Sequence, residues 1–325
     1  MRSVLVTGGA GYVGSHACKA LASAGWTPIV YDDFSTGHRD LVRWGPCEEG
    51  DIADTARLDA ALARHRPDAV MHFAAASLVG ESVRDPGATY RRNVAGTLTL
   101  LEAVRKAGVG TVVFSSSCAT YGRPDRVPIT EDSPQRPINP YGASKAMAER
   151  LMADFGAAYG MRGAALRYFN AAGADPDGEA GEDHEPETHL IPRALMAAAG
   201  LLSRLDVFGD DWATADGTCI RDYVHVSDLA RWHVAALDRL AEGTPFLALN
   251  LGTGRGRSVR EVVAAVERVT GRTVPLAIGP RRDGDPPVLV ADPGRAKDIL
   301  GATPRFADLE TMVETAWRWL RRRRS

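Results

Sequence analysis

Short runs of β-branched and other apolar residues alternate with longer, helix-length stretches through the first half of the chain. This alternation is typical of a parallel sheet whose strands are joined by crossover helices. Three of the predicted helices are followed by a glycine, which is a regular helix stop signal. The predicted strands are residues 3–6, 27–31, 69–72, 111–115 and 163–168, and the predicted helices are residues 13–24, 55–65, 93–107 and 141–159.

The texture of the sequence changes at about Ala171. A turn-rich stretch and an acidic run over residues 179–187 follow, and short strand-like and helix-like segments then mix with proline-rich loops. We therefore predict an α/β protein with a doubly wound parallel sheet in residues 1–170 and a smaller C-terminal α/β substrate lobe in residues 171–325. Segments around residues 218–250 are expected to interleave with the first domain.

Composition limits the classes of function. With 325 residues, of which 45% are hydrophobic, the chain can bury a large core. Its 39 basic and 41 acidic residues give a formal net charge of -2, so we expect neither nucleic acid nor an acidic membrane as a partner. The four cysteines lack the spacing of a zinc site and are expected as reduced thiols of a cytoplasmic protein. We also expect no leader segment and no membrane span.

A glycine-rich turn lies between the first predicted strand and the first predicted helix. It contains Gly8, Gly11 and Gly14, with Tyr12 and Val13 at the start of the helix. In a dinucleotide site the first glycine permits a tight turn, the second lets a pyrophosphate approach, and the third lets helix and strand pack closely. The helix N-terminus would then face the phosphates. A glycine triplet alone is weak evidence, because such turns are common without ligands.

The end of the second predicted strand strengthens this interpretation. Asp32 stands where a carboxylate can accept both ribose hydroxyls of NAD and would repel the 2′-phosphate of NADP. Arg39 nearby leaves NADP as the lesser alternative. Asp51 and Ile52 are expected to contact adenine, although Asp51 could equally be a helix-capping residue.

Tyr141 and Lys145 are four residues apart and therefore share one face of a predicted helix. A lysine ammonium beside a phenol is expected to lower the tyrosine pKa, which would make Tyr141 an acid/base group. Such spacing also arises by chance in exposed helical pairs. The catalytic interpretation is favoured because the preceding strand ends in the serines Ser115 to Ser117, at the sheet edge where doubly wound folds bind ligands.

Together these features resemble the extended short-chain dehydrogenases/reductases, which bind NAD on a Rossmann fold. More specific stretches, spread over nearly the whole chain, resemble the UDP-glucose 4-epimerases. They are Val70-Met71-His72-Phe73-Ala74-Ala75, Val79-Gly80-Glu81-Ser82-Val83, Asn93-Val94-Ala95-Gly96-Thr97, Leu166-Arg167-Tyr168-Phe169-Asn170, Gly217-Thr218-Cys219-Ile220-Arg221-Asp222-Tyr223-Val224-His225-Val226, Asn250-Leu251-Gly252-Thr253-Gly254 and Arg281-Arg282-Asp283-Gly284-Asp285.

The resemblance implies a role for each matching position. Ser117 would be the catalytic hydroxyl, Tyr141 the acid/base and Lys145 its electrostatic partner. The implied NAD contacts are Gly8, Gly11, Tyr12, Val13, Gly14, Asp32, Asp51, Ile52, Phe73, Ala74, Ala75, Ser77, Asn93, Ser115, Tyr141, Lys145 and Tyr168. The implied UDP-sugar contacts are Ser117, Phe169, Asn170, His189, Leu190, Asp206, Phe208, Arg221, Tyr223, Arg282, Asp285 and Leu289.

Two positions depart from the family pattern. Ser77 stands where the family commonly has a lysine near the cofactor, so one cation is missing from the cofactor cradle. Leu289 stands where side-chain size in the family controls access for N-acetylated sugars. Leucine is neither the bulky tyrosine nor a small residue, so the choice of sugar stays open.

The implied activity is an NAD-dependent interconversion of UDP-glucose and UDP-galactose. Tyr141 would take the O4 proton while the C4 hydride passes to NAD, and the resulting 4-keto sugar would turn before the hydride returns. A UDP-pentose or a UDP-N-acetylhexosamine is an alternative substrate. A nucleotide-sugar 4,6-dehydratase is disfavoured, because Cys118 and Ala119 stand where those enzymes carry an acid/base pair.

Interpretations from other classes are weaker. A non-catalytic NAD sensor would have no need of the tyrosine–lysine pair. We expect no metal, because the proline-containing acidic stretch with His184, Glu187 and His189 suits a loop over the nucleotide better than a metal site.

A homodimer is implied through helices 93–107 and 141–159, although their apolar faces could also pack only on the sheet. The arginines of residues 321–324 are expected as a solvated tail.

Overall fold

A computed structural model describes residues 2–282 and 285–324, which form an α/β protein. Asp283 and Gly284, from one of the family-like motifs, lie outside the described residues. The strands are β1 Ser3–Thr7, β2 Thr27–Asp32, β3 Cys47–Glu49, β4 Ala69–His72, β5 Thr111–Ser117, β6 Arg162–Tyr168, β7 Asn170–Ala172, β8 Leu205–Phe208, β9 Ile220–His225, β10 Phe246–Leu251, β11 Gly256–Ser258, β12 Leu276–Gly279 and β13 Val288–Leu289. The α-helices are α1 Tyr12–Ser23, α2 Thr55–His65, α3 Val79–Arg84, α4 Pro86–Tyr90, α5 Gly96–Lys106, α6 Pro140–Tyr159, α7 Leu190–Ala198, α8 Val226–Ala241, α9 Val259–Thr270, α10 Gly294–Leu300 and α11 Leu309–Arg324.

The large sheet has seven parallel strands in the order β10-β6-β5-β4-β1-β2-β3. The chain runs outwards from β1 to β3 on one side and from β4 to β6 on the other, so the order reverses between β1 and β4. In such sheets the crevice at the carboxyl ends of the strands, at this reversal, is where ligands bind. The predicted doubly wound parallel sheet is therefore confirmed.

Helices cover both faces of the large sheet, as the alternation of β1 side chains requires. Val4 and Val6 pack with Leu21 of α1 and Trp232 of α8 on one face. Leu5 packs with residues of α2, α5 and α6 on the other. The buried parallel sheet thus lies between two helical layers and presents only its edges to other parts of the molecule.

The C-terminal half builds a smaller lobe and also returns to the large sheet. A four-stranded sheet contains β7, β9, β11 and β13, β8 pairs with β12, and α7, α9 and α11 share a second apolar core. Residues 226–251, which form α8 and β10, belong instead to the layers of the large sheet. The domain boundary near residue 171 stays a prediction.

The helix predicted for residues 93–107 begins differently. A π-helical turn occupies Arg91–Ala95, and α5 starts only at Gly96. The wider turn contains the buried Asn93, whose side chain is bonded to neighbouring segments. Hydrophobic spacing cannot predict this widening, which often marks functional sites. Among the described residues, no helix has the length and apolar character needed to cross a membrane.

The expectation that the terminal arginines are only a solvated tail is wrong for two of them. Arg322 of α11 donates to the carbonyl oxygen of Gly178 at 2.8 Å. Arg323 forms ion pairs with Asp183 and with Asp40, whose carboxylate is 2.5 Å from the guanidinium. The acidic loop folds back against the end of α11, and opposite charges bring the two segments together.

Candidate active site

The carboxyl ends of the parallel strands bring the predicted site residues to one edge of the large sheet. Gly8 follows β1, Asp32 ends β2, Phe73 follows β4, Ser117 ends β5 and Tyr168 ends β6. Parallel strands of one sheet end on the same side, so side chains far apart in sequence meet there. The predicted residues at these strand ends therefore lie along one edge of the large sheet.

The glycine-rich turn has the shape predicted for it. Gly8 has a φ of 72°, and a Cβ atom there would lie 2.5 Å from the backbone nitrogen of Ala74. A Cβ atom on Gly14 would lie 2.1 Å from the carbonyl oxygen of Gly8, whereas one on Gly11 would meet only that oxygen, at 3.4 Å. No side chain caps α1 and its first turn has no acidic residue. Within the described chain, this helix N-terminus is open to an anion.

Asp32 is held by the turn it faces. Its carboxylate accepts hydrogen bonds from the backbone N–H groups of Ala10 and Phe34, each at 2.9 Å. Burial raises the pKa of Asp32, and these two hydrogen bonds oppose the rise. Arg39, the basis of the NADP alternative, pairs with Glu49 at 2.5 Å and stacks on the Phe34 ring. No positive side chain of the described residues pairs with Asp32, so the crevice disfavours a 2′-phosphate.

Asp51 does not cap a helix, so that alternative is wrong. Its carboxylate accepts from the backbone N–H of Ala53 at 2.8 Å, within a turn. The residue that caps α2 is Asp54, which accepts from the N–H of Arg57 at 3.1 Å. Ile52 is buried, and Asp51 is exposed. Their contact with adenine stays a prediction.

The segment after β4 is positioned by Asn93. The Asn93 amide accepts from the N–H of Ala76 at 2.7 Å, donates to the carbonyl of Ala76 at 2.9 Å, and donates to Ser144 at 2.9 Å. Residues 73–75 are half-buried along this edge, and Ser77 is exposed. Asn93 therefore fixes the backbone at Ala76, which lies between the predicted cofactor contacts Ala75 and Ser77, against α6.

The three predicted catalytic side chains lie together. Lys145 Nζ donates to the carbonyl oxygen of Ser115 at 2.8 Å and lies 5.8 Å from the centre of the Tyr141 ring. The Ser117 hydroxyl accepts from the N–H of Ala119 at 3.1 Å, and Ser117 lies near enough to the Tyr141 phenol to lower its pKa. The Ser115 hydroxyl bonds to the phenol of Tyr168. Strand β5 and helix α6 thus place a phenol, a hydroxyl and an amine on one wall of the crevice.

The expected lowering of the Tyr141 pKa by Lys145 is not found in this state of the protein. Burial raises the pKa of Tyr141 above its usual range, Tyr168 adds to the rise, and the hydrogen bond from Ser117 opposes it. Burial also lowers the pKa of Lys145 to about 7, against the effect of Glu149. The cost of charging either buried group exceeds the attraction between them. Tyr141 is therefore neutral near pH 7, whereas Lys145 exchanges its proton near pH 7 until a ligand changes its surroundings.

The sequence did not predict a buried polar network that adjoins β5, the strand that ends in Ser115 to Ser117. Arg167 donates to Glu149 at 2.6 Å and to the Tyr121 hydroxyl at 2.9 Å, and that hydroxyl donates to Asn250 at 2.7 Å. Ser116 also donates to Glu149. Glu149 lies one helical turn after Lys145, on the face of the helix that packs against the sheet. A charged residue at such a position could have indicated the buried network.

The predicted diphosphate and uridine residues belong to strands and loops of the smaller lobe. Arg221 is 3.9 Å from Asp285, and its side chain is only 14% exposed. The guanidinium of Arg282 stacks 4.2 Å above the ring of Phe208, which is exposed. Arginine guanidinium groups and an aromatic ring are side chains that suit the phosphates and the base of a nucleoside diphosphate.

The predicted sugar-facing residues form a separate apolar wall. Phe169, Cys118, Tyr121 and Ile129 share a buried cluster, and Leu289 packs against it. Burial raises the pKa of the Cys118 thiol to about 12, so this residue cannot act as an acid or base near neutral pH. The dehydratase alternative is thereby weakened on chemical grounds.

Asn170 and Tyr223 are opposite each other in the pairing of β7 with β9. Tyr223 is buried, and Leu190 is half-buried at the start of α7. These predicted substrate residues therefore lie in the smaller lobe and not on β5.

Three predicted contacts have their side chains engaged elsewhere. The Tyr12 hydroxyl donates to the carbonyl of Gly173 at 2.6 Å, so only its backbone faces the turn. Asp206 pairs with Arg204 at 3.2 Å and approaches Arg193 at 3.8 Å. His189 Nδ1 lies 2.7 Å from Glu182 and 3.1 Å from Glu187. The sequence could not reveal these partners, because they come from loops or, for Arg193, from the helix α7, which the sequence did not predict.

The glycine turn, the acidic residue after β2 and the serine, tyrosine and lysine on one edge define a nucleotide-binding enzyme of the short-chain dehydrogenase/reductase class. The chain matches the model of the "NAD dependent epimerase/dehydratase family" over residues 4–252, and it belongs to that family.

Relatives of similar length share the whole fold. The chain is 53% identical over 317 residues to a UDP-glucose 4-epimerase of Rhizobium leguminosarum bv. trifolii. This alignment covers 98% of this chain and 97% of the relative. A crystal structure of a UDP-glucose 4-epimerase from Brucella ovis in complex with NAD is 57% identical, with a TM-score of 0.96 and 98% of each chain covered. A UDP-glucose-4-epimerase from Stenotrophomonas maltophila, with bound NAD and formylated UDP-arabinopyranose, is 41% identical, with a TM-score of 0.96, 100% of this chain and 99% of that chain covered.

Proposed function

We propose that this protein is an NAD-dependent isomerase that interconverts UDP-glucose and UDP-galactose through a transient 4-keto sugar, and that it serves galactose metabolism. The observation that carries the proposal is the grouping of Ser117, Tyr141 and Lys145 beside the glycine turn. The full-length likeness to UDP-glucose 4-epimerases supports the choice of reaction within the family.

The crevice fits NAD as the resident cofactor. The uncapped start of α1 would receive the pyrophosphate, Asp32 the adenosine ribose hydroxyls, and Lys145 the nicotinamide ribose. The remaining predicted contacts, from Asp51 and Ile52 to Tyr168, are proposed to line the same site. When bound, NAD supplies a reversible hydride acceptor for C4 of the sugar and a positively charged ring near the phenol.

The protein side chains handle the proton. We propose that Tyr141 removes the proton from the sugar O4 and returns it after the sugar has turned, with Ser117 orienting the oxygen by hydrogen bonding. Lys145 stays on the wall of the crevice through the carbonyl of Ser115 and stabilises the phenolate when it forms. The apolar wall around Phe169 and Leu289 holds the sugar only loosely, which permits it to turn.

The nucleotide end of the substrate is gripped more strongly. Arg221 and Arg282 would bind the diphosphate, with Asp285, Phe208 and Tyr223 around the uridine. The other predicted contacts, Asn170 and Leu190, are proposed to close the site, and the placement of His189 and Asp206 makes direct contact through their side chains less favourable.

A direct assay tests the reaction and the choice of sugar. The purified protein is mixed separately with UDP-galactose, UDP-N-acetylgalactosamine and UDP-arabinose, without added cofactor, and the C4 epimer is measured in each. We expect UDP-glucose to form fastest from UDP-galactose. A higher rate with the pentose or the N-acetylated sugar would reassign the substrate, and no interconversion of any of them would overturn the 4-epimerase proposal.

We also propose that the protein is a homodimer that works in the cytoplasm. Leu98 on α5 and Met147 and Tyr159 on α6 are exposed apolar side chains on the helices expected to form the interface. The buried thiols Cys18, Cys118 and Cys219 suit a reducing compartment. Light scattering of the purified protein should give the mass of two chains, and Met147→Glu should shift it towards one.

A further inference from the structure

The acidic loop between β7 and α7 contains two groups of charged side chains that differ in what neutralises them. Asp175, Asp177 and Glu179 surround the ammonium of Lys19, at 2.8, 2.6 and 2.9 Å. That group already holds a cation from the protein itself. In the second group, no lysine or arginine side chain pairs with the carboxylates within the described parts of the chain.

We propose that Glu182, His184, Glu187 and His189 of this second group form a binding site for one transition-metal dication of the Zn²⁺ class. Each residue offers one ligand atom, and the four atoms lie within 4.8 Å of one another. Two imidazoles with two carboxylates make a borderline donor set that suits Zn²⁺ better than Mg²⁺ or Ca²⁺.

The distances between the ligand atoms fit a metal centre. Glu182 Oε1 lies 3.2 Å from His184 Nδ1 and 2.7 Å from His189 Nδ1. Glu187 Oε2 lies 3.7 Å from His184 Nδ1, and Glu187 Oε1 lies 3.1 Å from His189 Nδ1. In a tetrahedral Zn²⁺ site with metal–ligand distances of about 2.1 Å, neighbouring ligand atoms are about 3.4 Å apart. The four measured pairs differ from this spacing by at most about 0.7 Å, so rotations of the four side chains on the order of an ångström are enough to receive an ion.

Burial supplies a second, independent argument. The side chains of Glu182 and Glu187 are each only 7% exposed, and two buried carboxylates need compensating positive charge. The Nδ1 atom of His184 is buried and makes no well-formed hydrogen bond, although it points at both carboxylates. A dication at the centre would neutralise both acids and use this lone pair.

Contacts outside the group fix the loop that carries it. The carbonyl of Glu182 accepts from the Trp319 indole at 2.9 Å, and that of Glu187 accepts from Arg193 at 3.1 Å. The ring of His184 lies 6.3 Å from Tyr12, at the start of α1. The ion would therefore fasten α11, α7 and the glycine turn to one loop, which makes it a structural metal and leaves the proposed reaction independent of it.

Metal titration of the full-length protein tests the site. The chelator-treated, desalted protein is titrated with Zn²⁺ against a chromophoric chelator, bound metal is measured by elemental analysis, and thermal unfolding is followed with and without Zn²⁺. We expect one tightly bound equivalent and a higher unfolding temperature, because the ion binds the folded state. Loss of a ligand in His184→Gln should weaken binding at least about tenfold.

The matched control is His65→Gln, which removes a histidine paired with one carboxylate, Glu48, at 2.7 Å. It should bind Zn²⁺ as the wild type does. If His184→Gln does not fold, Glu187→Gln replaces it, and the visible spectrum of the Co²⁺-loaded wild type should report four-coordinate geometry.

The proposal is overturned if the wild type binds no tight equivalent, or if His184→Gln and His65→Gln bind equally well. It is also overturned if Asp177→Asn abolishes binding while His184→Gln retains it, because the ion would then lie in the Lys19 group. If the histidines pair with the carboxylates only as protonated groups, the wild type will bind no tight equivalent of Zn²⁺.

Discussion

At the scale of single residues, Tyr141 is the side chain on which the proposed chemistry most directly depends. Ser117 is near enough to its phenol to lower the pKa of Tyr141, and Lys145 Nζ lies 5.8 Å from the centre of its ring. Removal of the hydroxyl keeps the ring, and therefore the shape of the crevice. The Tyr141→Phe protein should lose about 10²–10⁴-fold in turnover of UDP-galactose, the usual contribution of a positioned acid/base group.

Cofactor retention distinguishes loss of chemistry from loss of structure in this variant. The nucleotide bound to Tyr141→Phe, released by denaturation and quantified by absorbance, should equal that of the wild type. Tyr159→Phe, on an exposed position of the same helix, serves as the control and should leave turnover unchanged. Full activity in Tyr141→Phe would remove Tyr141 from the mechanism.

The residue scale also shows what sequence alone could not supply. The spacing of Tyr141 and Lys145 predicted their common face, because helical geometry is local. It did not predict that both would be buried deeply enough to reverse the expected pKa shift. Desolvation depends on everything packed around a group, including Phe114 beneath Lys145, so it becomes visible only once the fold is known.

At the scale of elements, the contact between α1 and the turn before it depends on Gly14. A Cβ atom there would lie 2.1 Å from the carbonyl oxygen of Gly8, a backbone atom that cannot move alone. Gly14→Ala should destabilise the protein by about 1–3 kcal/mol, as overpacking usually does, and should weaken NAD binding. Urea unfolding and nucleotide content measure the two effects.

Gly80→Ala is the matched control for that substitution. Gly80 lies in α3, and a Cβ atom there would meet no atom within 4 Å. Alanine is the better helix former, so this variant should be as stable as the wild type or more stable, by up to about 1 kcal/mol. Equal destabilisation by the two substitutions would mean that the Gly8–Gly14 contact is not what requires glycine.

The ion pair between α6 and β6 gives a second prediction at this scale. Arg167 and Glu149 are both nearly fully buried, with side chains 7% and 6% exposed. Glu149→Gln leaves the guanidinium charge without its partner, and removal of one member of a buried pair typically costs 3–5 kcal/mol, so we expect a loss of about this size in urea unfolding.

Asp154→Asn on the same helix provides the comparison. It breaks the pair of Asp154 with Arg150, whose side chain is 77% exposed, and solvent screening should leave stability nearly unchanged. If Glu149→Gln were as harmless as Asp154→Asn, burial of the Arg167 charge would have to be compensated by the Tyr121 hydroxyl and the carbonyl oxygen of Glu131.

At the scale of the whole molecule, four buried histidines make stability depend on pH. Burial lowers the pKa of His72 to about 3 and the pKa values of His16, His225 and His233 to about 4. The folded protein keeps them neutral, while the unfolded chain protonates them below about pH 6.5. The free energy of unfolding should therefore fall as the pH falls from 6.5 towards 4, by up to about 1.4 kcal/mol per pH unit for each histidine.

Denaturant unfolding at pH 7, 6 and 5 measures this slope. His233 has a buried Nε2 without a hydrogen-bond partner in the described structure, so His233→Leu should be tolerated. That variant should lose less stability per pH unit than the wild type, by about one proton's contribution. An unchanged slope would mean that His233 takes up its proton in the folded state.

The overall architecture could be predicted only where it is encoded locally. Residues 3–6 and 69–72 predicted β1 and β4 because buried parallel strands are short, continuous apolar runs. The pairing of Arg323 with Asp183 and of Arg167 with Glu149 could not be predicted, because each joins elements that only the folded chain brings together. The sequence predicted that segments around residues 218–250 interleave with the first domain, but it did not identify β10 as a strand of the large sheet.

The position of β10 affects how the protein is made. This strand closes the outer edge of β6, and α8, which precedes it, covers one face of the same sheet. A growing polypeptide leaves the ribosome from its N-terminus, so β1 to β6 emerge well before the two segments that shield them. Until residue 251 has been translated, the nascent chain exposes an unpaired strand edge and an uncovered apolar face, both of which invite aggregation. The large sheet, whose first strands are synthesised early, is therefore fully paired and covered only after α8 and β10 have been synthesised.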